Sequence, residues 1–157
     1  MSSAHVITIS DGVFHRKRED KSGQALVELL HDGFAVSGPE IVPDEVERIT
    51  EAVETAVARG ADLVVTTGGT GLGPRDVTPQ ATAALIDYEV PGIGEEMRRA
   101  GIASTPMAGL SRSMAGVRGR TLIINVPGSL RGATESLEAV MPMLDHAIQL
   151  LHGDTTH

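Results

Sequence analysis

Residues 62–76 read DLVVTTGGTGLGPRD. The first six, short and rich in valine and threonine, predict a β-strand. The strand breaks at once into a loop carrying glycines 68, 69, 71 and 73, which closes on Pro74, Arg75 and Asp76. Behind it Thr78-Pro79 opens a helix, with proline in the first turn, where a missing N–H leaves nothing unpaired. Strand, glycine loop, helix is a repeating unit of parallel α/β sheets.

The same alternation extends in both directions. Residues 5–10 (HVITIS) predict a strand, residues 11–21 a polar loop, and residues 22–32 a helix with Leu26, Leu29 and Leu30 at helical spacing and Gly33 at its end. Residues 34–42 predict a second strand interrupted at Gly38-Pro39. A helix is expected from Asp44 through Arg59, with Val46, Ile49, Val53 and Val57 on one face. Downstream, residues 91–103 read as a helix, residues 113–119 as strand or loop, residues 120–126 (RTLIINV) as a strand, and residues 131–151 as a last helix. The inner side of that helix is Leu137, Val140, Leu144, Ile148 and Leu151. The expected fold is α/β: three layers, α/β/α, around a mainly parallel sheet, in a single domain over residues 1–157.

Ligands of such sheets bind beyond the carboxyl ends of the strands. There the chain places Ser10-Asp11, Pro43-Asp44, residues 67–76 and residues 125–128 (NVPG). The glycine loop can turn several N–H groups into one concavity, a phosphate nest, or it can be a tight turn. It lacks the lysine of a Walker A loop, and its glycines do not fit the G-x-G-x-x-G spacing of a dinucleotide fold. Asp76 fits a turn aspartate near the next helix, or a carboxylate that brings Mg²⁺ to phosphate. Asp44-Glu45-Val46-Glu47 fits a capping box, a second carboxylate of the site, or both. Ser111-Arg112-Ser113 offers two hydroxyls and a guanidinium suited to phosphate, or reads as a solvated loop. Ser129 is a candidate helix cap.

Composition narrows the partners. A net charge of −8 and an aromatic content of 2% disfavour nucleic acid and anionic membranes. The absence of cysteine removes disulfides, thiolate metal sites and cysteine nucleophiles. Histidines 5, 15, 31, 146, 152 and 157 show no metal-ligand spacing. With no apolar leader at the start, a cytoplasmic protein is expected.

Beyond the loop, residues 66–82 (TTGGTGLGPRDVTPQAT) resemble the signature of the molybdopterin adenylyltransferase family, which includes bacterial Mog and MoaB proteins and the gephyrin G domain. ITISDG (7–12), DKSG (20–23), IVPDE (41–45), LSRSMAGVRG (110–119) and TLIINVPGS (121–129) match in order, over almost the whole chain. The resemblance implies transfer of AMP from ATP to the terminal phosphate of molybdopterin, with Mg²⁺, release of pyrophosphate and hand-over to a molybdenum insertase. It implies a trimer, in some members a hexamer. By position, Asp44 and Asp76 are the implied catalytic and Mg²⁺-binding carboxylates. Thr67, Gly68, Gly69, Thr70 and Gly71 would hold pterin phosphate or nucleotide. Ser111 and Ser113, with Asn125, Pro127 and Gly128, would line the pterin and nucleotide pockets, and Ser10 and Asp11 would stand at the same edge. Larger insertases and competence-damage proteins carry a related domain beside others, for which 157 residues leave no expected room. The alternative is a dormant pterin-binding scaffold of the same fold. One departure stands out: where the family often has proline after NVPGS, this chain has Leu130-Arg131-Gly132.

Overall fold

A computed structural model describes residues 1–154. His157 and the last residues of the expected domain lie outside the described residues. Six strands form one sheet in the order β2-β1-β3-β6-β5-β4. These are β1 (Ser3–Ile9), β2 (Ala35–Val42), β3 (Leu63–Thr67), β4 (Tyr88–Glu89), β5 (Ala115–Arg118) and β6 (Thr121–Val126). Neighbours among β2, β1, β3 and β6 run parallel, and β5 and β4 add an antiparallel edge.

Helices cover both faces. α2 (Lys21–Leu30), α5 (Pro91–Ser104) and α6 (Leu130–Leu151) pack on one face, where Leu26, Leu30, Met97, Leu137, Val140 and Leu144 meet Val6, Val65, Leu122 and Ile124. α3 (Val46–Ala58) and α4 (Thr78–Leu85) pack on the other, where Ile49, Val53, Ala81 and Leu85 meet Ile7, Ile9, Val64 and Ile123. Strands buried on both faces are continuous apolar runs, which is why the sequence around 63–67 and 121–126 shows no alternation. The three-layer expectation holds.

Several local expectations change. The polar stretch after β1 is not all loop: α1 (Asp11–Phe14) starts there, capped by Ser10, whose Oγ accepts from the Val13 N–H. β2 runs through Gly38-Pro39 as a bulge, with His5 paired to Ser37 and Ile7 to Glu40. The edge strand β4 is too short for a periodic signal, as is the 3₁₀ turn at Pro106–Leu110. The predicted inner face of α6 is correct except that Leu151 is only half-buried. Pro142 sits inside this helix on an exposed position, so the carbonyl that it leaves without a donor, at exposed Glu138, faces solvent. Among the described residues no helix is long and apolar enough to cross a membrane.

Candidate active site

The loop after β3 is held in one orientation by its carbonyls. Gly68 O accepts from Thr78 Oγ1 at 2.9 Å and Gly69 O from the Thr78 N–H at 3.1 Å. Thr70 O accepts from the Arg112 N–H at 2.9 Å, and Gly71 O from Arg112 Nε and Nη2 at 3.0 and 2.8 Å. The N–H of Gly68 donates to Val126 O. Those of Gly69, Thr70, Gly71 and Leu72 meet no acceptor among the described residues. Carbonyls tied back and amides left open is the polarity of an anion nest. The expected nest therefore begins one residue later than Gly68.

The first two glycines are required by the backbone. Gly68 has φ +105° and Gly69 φ +70°. A β-carbon at Gly68 would overlap the Ile9 carbonyl; one at Gly69 would overlap Thr78 Oγ1 and lie 3.2 Å from Asp44 Oδ1.

That last contact brings Asp44 to the loop. Asp44 does not cap α3: the cap position is Glu45, which makes no side-chain cap bond, so the capping-box expectation is wrong. Instead Asp44 Oδ2 accepts from the Asp11 N–H at 2.8 Å, while Asp11 Oδ1 accepts from the Asp44 N–H at 3.0 Å. Arg75 closes on Asp11 with a two-pronged ion pair at 3.0 and 3.1 Å. Burial raises the Asp44 carboxyl above its ordinary range, and the charges of Asp11 and Asp76 raise it further against the opposing Asp11 amide. Arg75 lowers the Asp11 carboxyl. Asp76 is indeed a turn aspartate, accepting from the Gly73 N–H at 2.9 Å, but it does not cap α4.

Two cavities open at this edge. The larger, about 780 Å³, is lined by Asp44, Asp76, Ser10 and residues 67–71, with Arg18, Asp20, Lys21 and Ser22 opposite. The smaller, about 370 Å³, lies between α5, the 3₁₀ turn and the start of α6. Met97, Met107 and Leu110 give it an apolar side; Ser111, Ser113, Arg98, Arg131 and Glu135 give it a polar one. Thr70, Gly71, Gly128 and Ser129 line both. Of the four open amides, those of Thr70 and Gly71 thus belong to the wall shared by the two cavities, while Gly69 lines the larger cavity alone and Leu72 lines neither.

The expected residues are distributed as follows. Asp44, Asp76, Ser10 and residues 67–71 share the larger cavity, Ser111, Ser113 and Pro127 the smaller, and Gly128 both. Thr67 Oγ1 donates to Pro127 O at 2.7 Å, tying the ends of β3 and β6 together. Asp11 lines neither cavity and holds Asp44 from behind. Asn125 is not brought to the site. It is fully buried in β6, where its Nδ2 donates to Thr66 Oγ1 at 2.9 Å and its Oδ1 has no partner among the described residues. Arg112 also lines neither cavity; its fork binds loop carbonyls instead of phosphate. The departure at Leu130-Arg131-Gly132 begins α6, capped by Ser129, and supplies walls to both cavities.

Sequence reasoning missed the wall from Arg18 to Ser22, which does not end a strand. The DKSG segment was its only signal. Asp20 accepts from Thr8 Oγ1 at 2.8 Å and from the Gly23 N–H at 2.9 Å, and Ser22 Oγ donates to Gly128 O at 2.8 Å, so the segment is fixed to the site.

Among the described residues no group of three or more His, Cys, Asp or Glu side chains could hold a metal ion. What the larger cavity offers is two carboxylates, Asp44 and Asp76, close enough for the second to disfavour ionisation of the first. That donor set fits Mg²⁺, which binds through one or two carboxylates and takes its remaining oxygens from water and phosphates.

The family model described as "Probable molybdopterin binding domain" matches residues 5–146. The crystal structure of the molybdopterin biosynthesis enzyme MoaB from Thermus thermophilus superposes with a TM-score of 0.92 at 52% identity, covering 98% of each chain. A molybdopterin adenylyltransferase of Helicobacter pylori is 39% identical over 155 residues, covering 95% of this chain and 87% of that protein. A molybdenum cofactor biosynthesis bifunctional protein of Synechococcus elongatus is 42% identical over 151 residues, 96% of this chain, but this chain spans only 47% of that relative's length.

Proposed function

The chain belongs to the molybdopterin-binding domain family, and on that premise we propose that it transfers AMP from ATP to the terminal phosphate of molybdopterin, releasing pyrophosphate, in molybdenum cofactor biosynthesis. The observation that carries this reading is the shared wall: two cavities of different chemistry meet at Thr70, Gly71, Gly128 and Ser129, beside a row of open amides. A reaction between two phosphate-bearing substrates needs such a junction.

The larger cavity, with its carboxylates on one wall and Arg18 and Lys21 on another, suits the triphosphate of ATP. The smaller, part apolar and part polar, suits a pterin. Asp44 and Asp76 would hold Mg²⁺, which supplies positive charge between two anionic reactants. The amides of residues 69–71 orient a phosphate at the junction. A phosphate oxygen of molybdopterin forms the new bond to the α-phosphorus, the bond to the bridging oxygen breaks, and its electron pair leaves with pyrophosphate. The attacking phosphate is already ionised near neutral pH, so no side-chain base is needed. The same reading includes a cytoplasmic homotrimer that passes adenylylated molybdopterin to an insertase.

The test is to incubate the protein with molybdopterin, ATP and Mg²⁺ and detect adenylylated molybdopterin and pyrophosphate by mass spectrometry. Equal amounts of both support the reading. Tight molybdopterin binding with no product assigns the chain instead as a pterin-binding scaffold.

A further inference from the structure

Each peptide unit is planar and trans, so fixing the carbonyl of one residue fixes the N–H of the next on its opposite side. This rule connects the four carbonyl anchors of the glycine loop to its four open amides. Thr78 holds Gly68 O and Gly69 O, and so sets the N–H groups of Gly69 and Thr70. The Arg112 backbone holds Thr70 O and sets the Gly71 N–H. The Arg112 guanidinium holds Gly71 O with two nitrogens and sets the Leu72 N–H. Its Nη2 also donates to Asp76 O at 2.7 Å, and its Nη1 to Gln80 Oε1 on α4 at 3.0 Å. One half-buried side chain therefore spans both ends of the loop and the helix behind it, with its charge directed away from both cavities.

We infer that Arg112 is a positioning residue: its planar fork holds the Gly71–Leu72 peptide and the Asp76 backbone, and so keeps Gly71 in the wall shared by the two cavities and Asp76 in the wall of the larger, where phosphate is transferred. Thr78 does the same for the first half of the loop. The inference rests on the phosphate-transfer reading for its purpose, but not for its geometry. Lysine keeps the charge and loses the fork, so charge and geometry can be separated.

The test compares wild type with Arg112→Lys, Arg112→Gln and Thr78→Val. Backbone amide spectra of the ligand-free proteins come first. The inference expects both Arg112 variants to shift the Leu72 and Val77 amides, and Thr78→Val, which removes the hydroxyl bond to Gly68 O but keeps the backbone bond to Gly69 O, to shift that of Gly69, with amides in β1 and α6 reporting an intact fold. Titration with magnesium pyrophosphate follows. Both Arg112 variants should bind it about tenfold more weakly, the size expected when a charge-assisted hydrogen bond is lost. Thr78→Val, which removes no charge, should also weaken binding. Unchanged loop amides in both Arg112 variants overturn the inference, as does Arg112→Lys binding at wild-type strength. If wild type itself does not bind magnesium pyrophosphate, the phosphate-transfer reading fails, and the ligand-free spectra alone decide the role of Arg112. Should an Arg112 variant not fold, Thr78→Val decides the clamp: an unmoved Gly69 amide contradicts it.

Discussion

Asp11 and Asp44 bind each other reciprocally: the backbone N–H of each donates to the carboxylate of the other, at 2.8 and 3.0 Å. The two residues follow β1 and β2, adjacent parallel strands, so the pair locks two strand ends together. It also holds a carboxylate beside Gly69 that its surroundings disfavour. The Ser10 N–H, donating to Val42 O, and Arg75, paired with Asp11, complete the frame.

Asp44→Asn tests that strain. The folded-state pKa of Asp44 is raised by burial and by its acidic neighbours. A raised carboxyl pKa costs stability once pH exceeds the folded value, and costs nothing below the unfolded value, where both states are protonated. Asparagine can still accept from the Asp11 N–H. The variant is expected to melt at a higher temperature than wild type near neutral pH, with the difference vanishing as pH falls below the ordinary carboxylate range. Melting curves from pH 3 to 8 check this; a lower melting temperature at neutral pH contradicts it.

Arg75 is exposed, and its ion pair with Asp11 is of the kind that contributes little to stability. It holds Asp11 ionised, a contribution present above the unfolded pKa of Asp11 and lost in acid. Arg75→Ala is expected to shift the neutral melting temperature by less than about 2 °C and to lower activity by no more than about fivefold. A near-complete loss of activity would place Arg75 on substrate.

Gly68→Ala forces a side chain into φ +105° against the Ile9 carbonyl. The expected loss is about 2 kcal/mol or more by denaturant unfolding. Gly33→Ala is the control: nothing lies within 4 Å of its β-carbon, and it should change stability by less than about 0.5 kcal/mol.

Asn125 separates packing from substrate contact. Asn125→Ala strands the Thr66 hydroxyl in the core and is expected to cost about 1–3 kcal/mol. The KM values for ATP and molybdopterin should remain within about twofold. A raised KM with unchanged stability would return Asn125 to the site.

These cases show what the residues revealed and what they hid. The order of strands and helices was legible because buried parallel strands and amphipathic helices leave strong patterns, as around Val64 and Leu137. So was the edge where Asp44, Asp76 and the glycine loop converge, because strand ends are where such sheets place their loops. Individual side-chain roles were not. Asp44-Glu45-Val46-Glu47 has the composition of a capping box, yet the bond Asp44 makes is to Asp11, 33 residues away. Asn125 and Pro127 are two residues apart, yet the first is buried inside β6 and the second, just beyond the end of that strand, lines the smaller cavity. Arg112 looked like a phosphate ligand because its partners, Gly71 O and Asp76 O, are backbone atoms that no side-chain pattern reveals.

The central claim is that Asp44 and Asp76 bring Mg²⁺ to a junction where AMP changes hands. The most direct measurement is the rate of adenylylated molybdopterin formation from ATP, at rising Mg²⁺, for wild type, Asp44→Asn and Asp76→Asn. No product is expected without Mg²⁺; wild type should saturate, and each variant should be slower by about a hundredfold or more at every Mg²⁺ concentration. Product formed at the wild-type rate by either variant, or by wild type with Mg²⁺ chelated, would contradict it.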